Sequence, residues 1–192
     1  MKVIYIRDSK SRGYLRIGVA TGEEKTEYTL SEKEYRGELS LLVGDEVSGE
    51  QLLLLSEYDM KYRARLAALR ILSYGDNNEK NICQKLTKKG IRAEIARETA
   101  REMVGLGYIN ERRQLERLVE KEVARELRGP RAVYMRLMKK GYSKKDIYEV
   151  ISDLISHGII DFEKSKQNLI EKKLPAGSGE EDIKKLLYKF GY

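Results

Sequence analysis

The sequence predicts a mainly α fold, with tandem three-helix repeats forming an elongated curved array behind a small N-terminal α+β module. Three observations carry that prediction. Lys88-Lys89-Gly90-Ile91 returns as Lys139-Lys140-Gly141-Tyr142 and again as Lys189-Phe190-Gly191-Tyr192, at spacings of 51 and 50 residues. An apolar frame travels with it: Leu86, Leu137 and Leu187 stand four residues before the glycine, and Ile82, Val133 and Ile183 stand eight before. A second marker, Gly107-Tyr108-Ile109-Asn110, recurs as Gly158-Ile159-Ile160-Asp161, its glycines 17 residues past Gly90 and Gly141. Self-similarity at such a period marks stacked units, each too small to bury its apolar face alone.

Residues 1–59 form the front module. Val3–Ile6, Leu15–Val19 and Thr26–Leu30 are rich in β-branched and aromatic residues and are separated by turns at Ser11-Arg12-Gly13 and Gly22-Glu23-Glu24, as in a short meander. Ser31 with Glu34, and Ser48 with Gln51, fit the capping box, in which each side chain satisfies the other residue's free amide. From about Asp59 the apolar period is helical. Repeat 1 spans 60–109, repeat 2 spans 110–160, and a truncated repeat 3 spans 161–192. The second helix of each opens after Asn78, Gly129 or Gly179 and stops at the repeated glycine, where a left-handed backbone is needed. Pro130 suits a first helical turn, since its missing N–H costs nothing there. The third helix covers about 92–105 and 143–156, and Asn110 or Asp161 caps the helix that follows. A compact globule of this length has a radius of gyration of about 16 Å; an open array must exceed it.

Composition narrows the function. The longest apolar run is Leu52–Leu55, far short of a membrane span, and the first residues do not read as a signal peptide. With Cys83 the only cysteine, no internal disulfide can form, which fits a cytoplasmic protein. One cysteine and one histidine, His157, cannot build a Cys/His metal cluster, and no nucleophile stands beside a base. His157 reads as a helix C-terminal residue placed against the dipole. Gly18–Lys25 lacks the Gly-Lys-Ser/Thr ending of a phosphate loop and reads as a turn. No catalytic residue, metal or cofactor is expected.

Charge is the stronger lead. Residues 1–60 hold 8 Lys+Arg against 12 Asp+Glu, whereas residues 61–192 hold 30 against 19, and 112–145 alone hold 12 against 4. On a helix read as Glu111–Arg128, Arg113, Arg117, Lys121 and Arg125 recur every four residues, opposite a core stripe of Leu115, Leu118, Val119, Val123 and Leu127. Glu116, Glu120, Glu122 and Glu126 could neutralise that ridge through local pairs. Arg131, Arg136, Lys139 and Lys140 extend it. These eight basic residues are the expected contact surface for a polyanion or an acidic groove.

Three blocks resemble the RecX regulatory proteins, modulators of the bacterial recombinase RecA: Ala67-Ala68-Leu69-Arg70-Ile71-Leu72-Ser73 leading into Ile82–Gly90, Leu106–Asn110, and Gly129-Pro130-Arg131 through Leu137–Tyr142. The resemblance spans about residues 60–192. It departs from the family after Gly107-Tyr108-Ile109, where acidic residues and Phe-Ala are usual and Asn110-Glu111 and Gln114-Leu115 stand instead. The resemblance implies a curved, extended, non-enzymatic protein lying in the groove of the RecA–single-stranded DNA filament, where it inhibits or remodels RecA recombinase and ATPase activity in DNA repair. It further implies a monomer with weak, sequence-indifferent contact to single-stranded DNA and no membrane. The alternative is a direct DNA-binding helix-turn-helix regulator built on Ile82–Met103. Against it, Glu94, Glu98 and Glu102 share the presumed recognition helix with Arg92, Arg97 and Arg101. A third possibility is a scaffold repeat with a protein partner only.

Overall fold

A computed structural model describes residues 1–192. The chain is mainly helical and divides into two compact units, Met1–Leu106 and Gly107–Tyr192.

In the first unit, β1 (Lys2–Asp8), β2 (Tyr14–Thr21) and β3 (Glu24–Ser31) form an antiparallel meander in sequence order, with a bulge between Val3 and Tyr5. The β2–β3 turn falls within the stretch Gly18–Lys25, as the missing phosphate-loop ending predicted. Ser31 caps a single helical turn, α1 (Glu32–Glu34), that runs into a π-helical turn at Tyr35–Leu39. Ser48 caps α2, and both capping boxes are formed.

Helix α2 runs unbroken from Gly49 to Ser73, so the helix start expected at Ser48 and the helical period expected from about Asp59 belong to one helix, which crosses the boundary expected at 59. No glycine or proline interrupts it after its first residue, and one rod serves both the sheet and the helices that follow. Its N-terminal half packs Leu55 and Tyr58 against Val3, Ile17, Val19 and Leu30 of the sheet. Buried Asp59 accepts a hydrogen bond from the Thr29 N–H (3.1 Å) and one from Arg63 Nε (2.7 Å). The carboxylate thereby occupies a donor on edge strand β3 that would otherwise be open to pairing. Toward its C-terminus α2 meets α3 (Glu79–Lys88) and α4 (Ala93–Gly105), and Ala64, Ala68, Ile82, Leu86, Ile95 and Met103 are all buried.

The second unit comprises α5 (Glu111–Glu120), α6 (Pro130–Lys139), α7 (Lys144–Ser156), α8 (Phe162–Lys173) and α9 (Glu180–Phe190). Leu115, Val119, Val123, Val133, Leu137, Ile147, Val150 and Leu154 make its core. Asn78, Gly129 and Gly179 are N-caps, and the repeated glycines Gly90, Gly141 and Gly191 all have positive φ, at 84°, 95° and 88°. Each corner closes with the same bond: the N–H after the glycine donates to the leucine carbonyl five residues back, Ile91 to Leu86, Tyr142 to Leu137 and Tyr192 to Leu187. This is the Schellman closure, which glycine's left-handed conformation makes possible. Leu86 and Leu137 are buried, but α9 has no buried residue, so the third copy of the apolar frame is only half-covered.

Candidate basic surface on the second helix pair

Asn110 opens α5, its Oδ1 accepting from the Arg113 N–H at 3.0 Å. Leu115 and Val119 then face the core, while Arg113, Arg117, Lys121 and Arg125 are all exposed. The helix does not continue regularly to Arg128. It widens at Lys121–Arg125 into a π turn, in which the Glu126 N–H reaches back to the Lys121 carbonyl at 3.1 Å. A step of four residues overshoots an α turn of about 3.6 residues and falls short of this wider one. The drift expected of the ridge therefore reverses over its last step, from Lys121 to Arg125.

The π turn also brings two consecutive residues inward. Val123 joins the core, and Glu122, expected as a surface neutraliser, is buried with its Oε2 beside Arg128 Nε at 3.0 Å and Arg136 Nε at 2.9 Å. The carboxylate and the Arg128 nitrogen meet as charges, without the alignment of a hydrogen bond. Leu127, immediately beyond, is buried at a φ of 53°. That left-handed backbone costs a leucine about 1–2 kcal/mol, and burial of its side chain offsets the strain.

Two of the four acids expected to silence the ridge, Glu116 and Glu122, are thus engaged elsewhere, while Glu120 and Glu126 are exposed and pair with none of its cations. Glu116 pairs with Arg112 at 3.2 Å, and Arg112 also holds Asp153 of α7. This contact to Asp153 raises the Arg112 pKa, with Glu116 adding a smaller push. No ion pair joins Arg113, Lys121 or Arg125 to a carboxylate. Of the α6 residues, Arg136 is held by Glu122, and the Arg131 guanidinium sits 5.4 Å from the Tyr188 ring centre. Lys139 ends the helix and Lys140 is its C-cap, both exposed.

The repeat correspondence adds geometry. Subtracting 51 from Arg117, Lys121, Arg125, Arg136 and Lys140 gives Leu66, Arg70, Tyr74, Lys85 and Lys89, which in the first unit line a single cleft between α2 and α3. Five of the eight expected residues are thus the repeat counterparts of residues that line one cleft in the first unit. Arg113 lies one turn before them on α5, and Arg131 lies in the first turn of α6. Sequence reasoning missed Arg128, whose charge goes into the Glu122 cluster. Arg128 stands 51 residues after Asn77, which bonds Lys85, the repeat counterpart of Arg136, but that pairing shows only in the fold.

Elsewhere, the charges of α4 are consumed internally. Arg97 pairs with Glu94, Arg101 with Glu79, Glu98 with Lys61 and Glu102 with Arg65. His157 is the exposed C-cap of α7, its Nδ1 2.7 Å from the Asp153 carbonyl. No group of three or more His, Cys, Asp and Glu side chains is arranged to hold a metal ion, and no helix is long and apolar enough to cross a membrane.

No family model matches the chain. Among curated proteins it is similar to the regulatory protein RecX of Caldanaerobacter subterraneus subsp. tengcongensis, 28% identical over 154 residues, covering 80% of this chain and 77% of that protein. It is also similar to the regulatory protein RecX of Streptococcus uberis, 25% identical over 152 residues and 78% of this chain, but spanning only 58% of that relative's length. A crystal structure of a regulatory protein RecX superposes with a TM-score of 0.75 at 19% identity, covering 100% of this chain and 94% of that one, which establishes the shared fold.

Proposed function

We propose that this chain, whose curated relatives are RecX regulatory proteins, is a non-catalytic regulator that binds the RecA–single-stranded DNA filament in its groove and inhibits or remodels RecA activity. The observation that carries the reading is the exposed row Arg113, Lys121 and Arg125, which is free of ion pairs, with Glu116 and Glu122 of the same segment held by Arg112, Arg128 and Arg136. Cations without local partners retain their attraction for phosphate and for acidic protein surface, and they release counterions when they bind it. Arg117, Arg131, Arg136, Lys139 and Lys140 complete the contact surface. The protein acts in the cytoplasm as a monomer, and its contact with single-stranded DNA is weak and indifferent to sequence.

The test is a titration of RecA ATP hydrolysis on single-stranded DNA. The chain is expected to suppress hydrolysis at sub-stoichiometric amounts. The triple variant Arg113→Glu, Lys121→Glu, Arg125→Glu is expected to need at least about tenfold more protein, a loss of about 1.4 kcal/mol in binding. This variant spares Arg136, so the Glu122 cluster stays intact. No effect on RecA at excess protein, or full potency in the variant, would end the proposal.

A further inference from the structure

We propose that the cleft between α2 and α3 is a docking site for an acidic peptide segment bearing aliphatic or aromatic side chains. The cleft encloses about 800 Å³, within the range of about 300–1,000 Å³ typical of ligand sites. One wall is the outer face of the last turns of α2, where Leu66, Ile71 and Tyr74 present an apolar surface. Leu66 is 45% exposed and Tyr74 80% exposed, so the water-facing apolar area lies inside a concavity that can cover an inserted side chain.

The rim is cationic. Arg70 stands on α2, Lys85 on α3, and Lys89 is the C-cap of α3 one turn beyond Lys85. Lys85 donates to Asn77 Oδ1 at 2.5 Å, whereas Arg70 and Lys89 have no ion-pair partner. Against these three cations the lining holds one acid, Asp76. An apolar floor under a positive rim complements a segment whose Leu or Phe residues alternate with carboxylates, in the manner of a peptide laid into a helical groove. Single-stranded nucleic acid fits less well, because base stacking needs aromatic platforms and Tyr74 is the only aromatic lining residue. The apolar floor is special to this helix pair, since Arg117, Glu122 and Arg125 hold the matching positions in the next.

The experiment is fluorescence anisotropy, with amide NMR of the full chain, using a short labelled peptide of Asp and Glu alternating with Leu and Phe. Two control peptides replace the acids by Gln and Asn, or the apolar residues by Ser, and a third probe is an oligo-dT of equal charge. Saturable binding is expected, with the largest shifts at Leu66, Ile71 and Tyr74. Affinity should fall at least about tenfold, or 1.4 kcal/mol, with either control peptide and in the double variant Arg70→Glu, Lys89→Glu. Ala67→Trp, which fills the floor, should abolish binding, and circular dichroism of both variants should show retained helicity. Absence of saturable binding, equal affinity for the serine peptide, an unaffected double variant, or tighter binding of the oligonucleotide at these residues would each overturn the proposal. RecA takes no part in this measurement, so its failure leaves the ATPase reading standing.

Discussion

The two helix pairs α2/α3 and α5/α6 share one sequence frame and solve the same structural problem differently. In the first, α2 ends as a regular α-helix, Asn78 caps α3 with its own side chain (2.8 Å to the Asn81 N–H), and the space between the helices stays open. In the second, α5 ends in a π turn that drives Glu122 inward against Arg128 and Arg136 at positions matching Ile71, Asn77 and Lys85. Gly129 has no side chain with which to cap α6. Instead its N–H donates to the Phe190 carbonyl (2.9 Å) and the Arg131 N–H to the Gly191 carbonyl (3.2 Å). The first pair is thus self-contained and concave, while the second has an ionic interior and borrows its cap from the end of α9. A repeat frame fixes where helices begin and stop; what fills the space between them is set by a few side chains that the frame leaves free.

The sharpest way to break this contrast is Glu122→Ile, which gives the second pair the residue found at Ile71. It leaves Arg128 and Arg136 together without their counter-charge. Removing one partner of a fully buried pair costs about 3–5 kcal/mol. Because the Arg136 side chain is 47% exposed, water takes up part of that charge, and we expect a loss of about 2–3 kcal/mol, read by urea denaturation. Stability equal to wild type would show that Glu122 does not organise this unit.

Next comes the borrowed cap. A Cβ on Gly129 would lie 2.4 Å from the Gly191 carbonyl oxygen, and backbone stands on both sides. Gly129→Ala must therefore push the α9 corner off the start of α6, at a cost of about 1–3 kcal/mol, with faster amide exchange at Arg131 and Tyr192 than elsewhere in the unit. At Leu127, Gly should be better tolerated than Ala by about 1 kcal/mol, the reverse of the usual helix order. Both variants lose the buried side chain, but only glycine also relieves the left-handed strain. Thermal unfolding of the two variants side by side gives that difference directly.

Much of the architecture is written in local chemistry. The capping boxes at Ser31 and Ser48, the caps at Asn78, Gly129 and Gly179, and the glycine corners all appear where their residue types require them. The continuity of α2 across Asp59 was hidden because its N-terminal half packs against a sheet and its C-terminal half against helices, so no single apolar period runs its length. The π turn was hidden for another reason. All of Lys121–Arg125 but Val123 are good helix formers, so nothing in the local sequence marks the turn that carries Glu122 in beside Arg128 and Arg136. The basic ridge was legible as a spacing, but the pairing of Glu116 with Arg112 and of Glu122 with Arg128 and Arg136 is a property of the folded chain.

The smallest predicted effect concerns what the two pairs have in common. Each ties its first helix to its third through surface charges: Arg65 with Glu102 at 2.9 Å and Lys61 with Glu98 at 3.8 Å in the first unit, and Arg112 with Asp153 in the second, where Asp153 corresponds to Glu102 and Arg112 to Lys61. The side chains of Arg65 and Glu102 are 37% and 40% exposed, so a double-mutant cycle on that pair should give less than about 1 kcal/mol, shrinking with added salt. The first unit carries a further link, Glu57, which joins Lys61 at 3.1 Å and Arg92 at 3.5 Å. The hydrogen bond from Lys61 lowers the Glu57 pKa, and the Lys61 and Arg92 charges reinforce the shift against a partial opposing effect of burial. Because the folded pKa lies below the unfolded one, the unfolded state binds the proton more readily, and Glu57 stabilises the fold only while ionised. Its contribution is present above the ordinary carboxylate range and is lost as pH falls through the folded value. Glu57→Gln should therefore unfold slightly more easily than wild type at neutral pH and converge with it in strong acid. A gap that persists at low pH would assign the role of Glu57 to packing rather than charge.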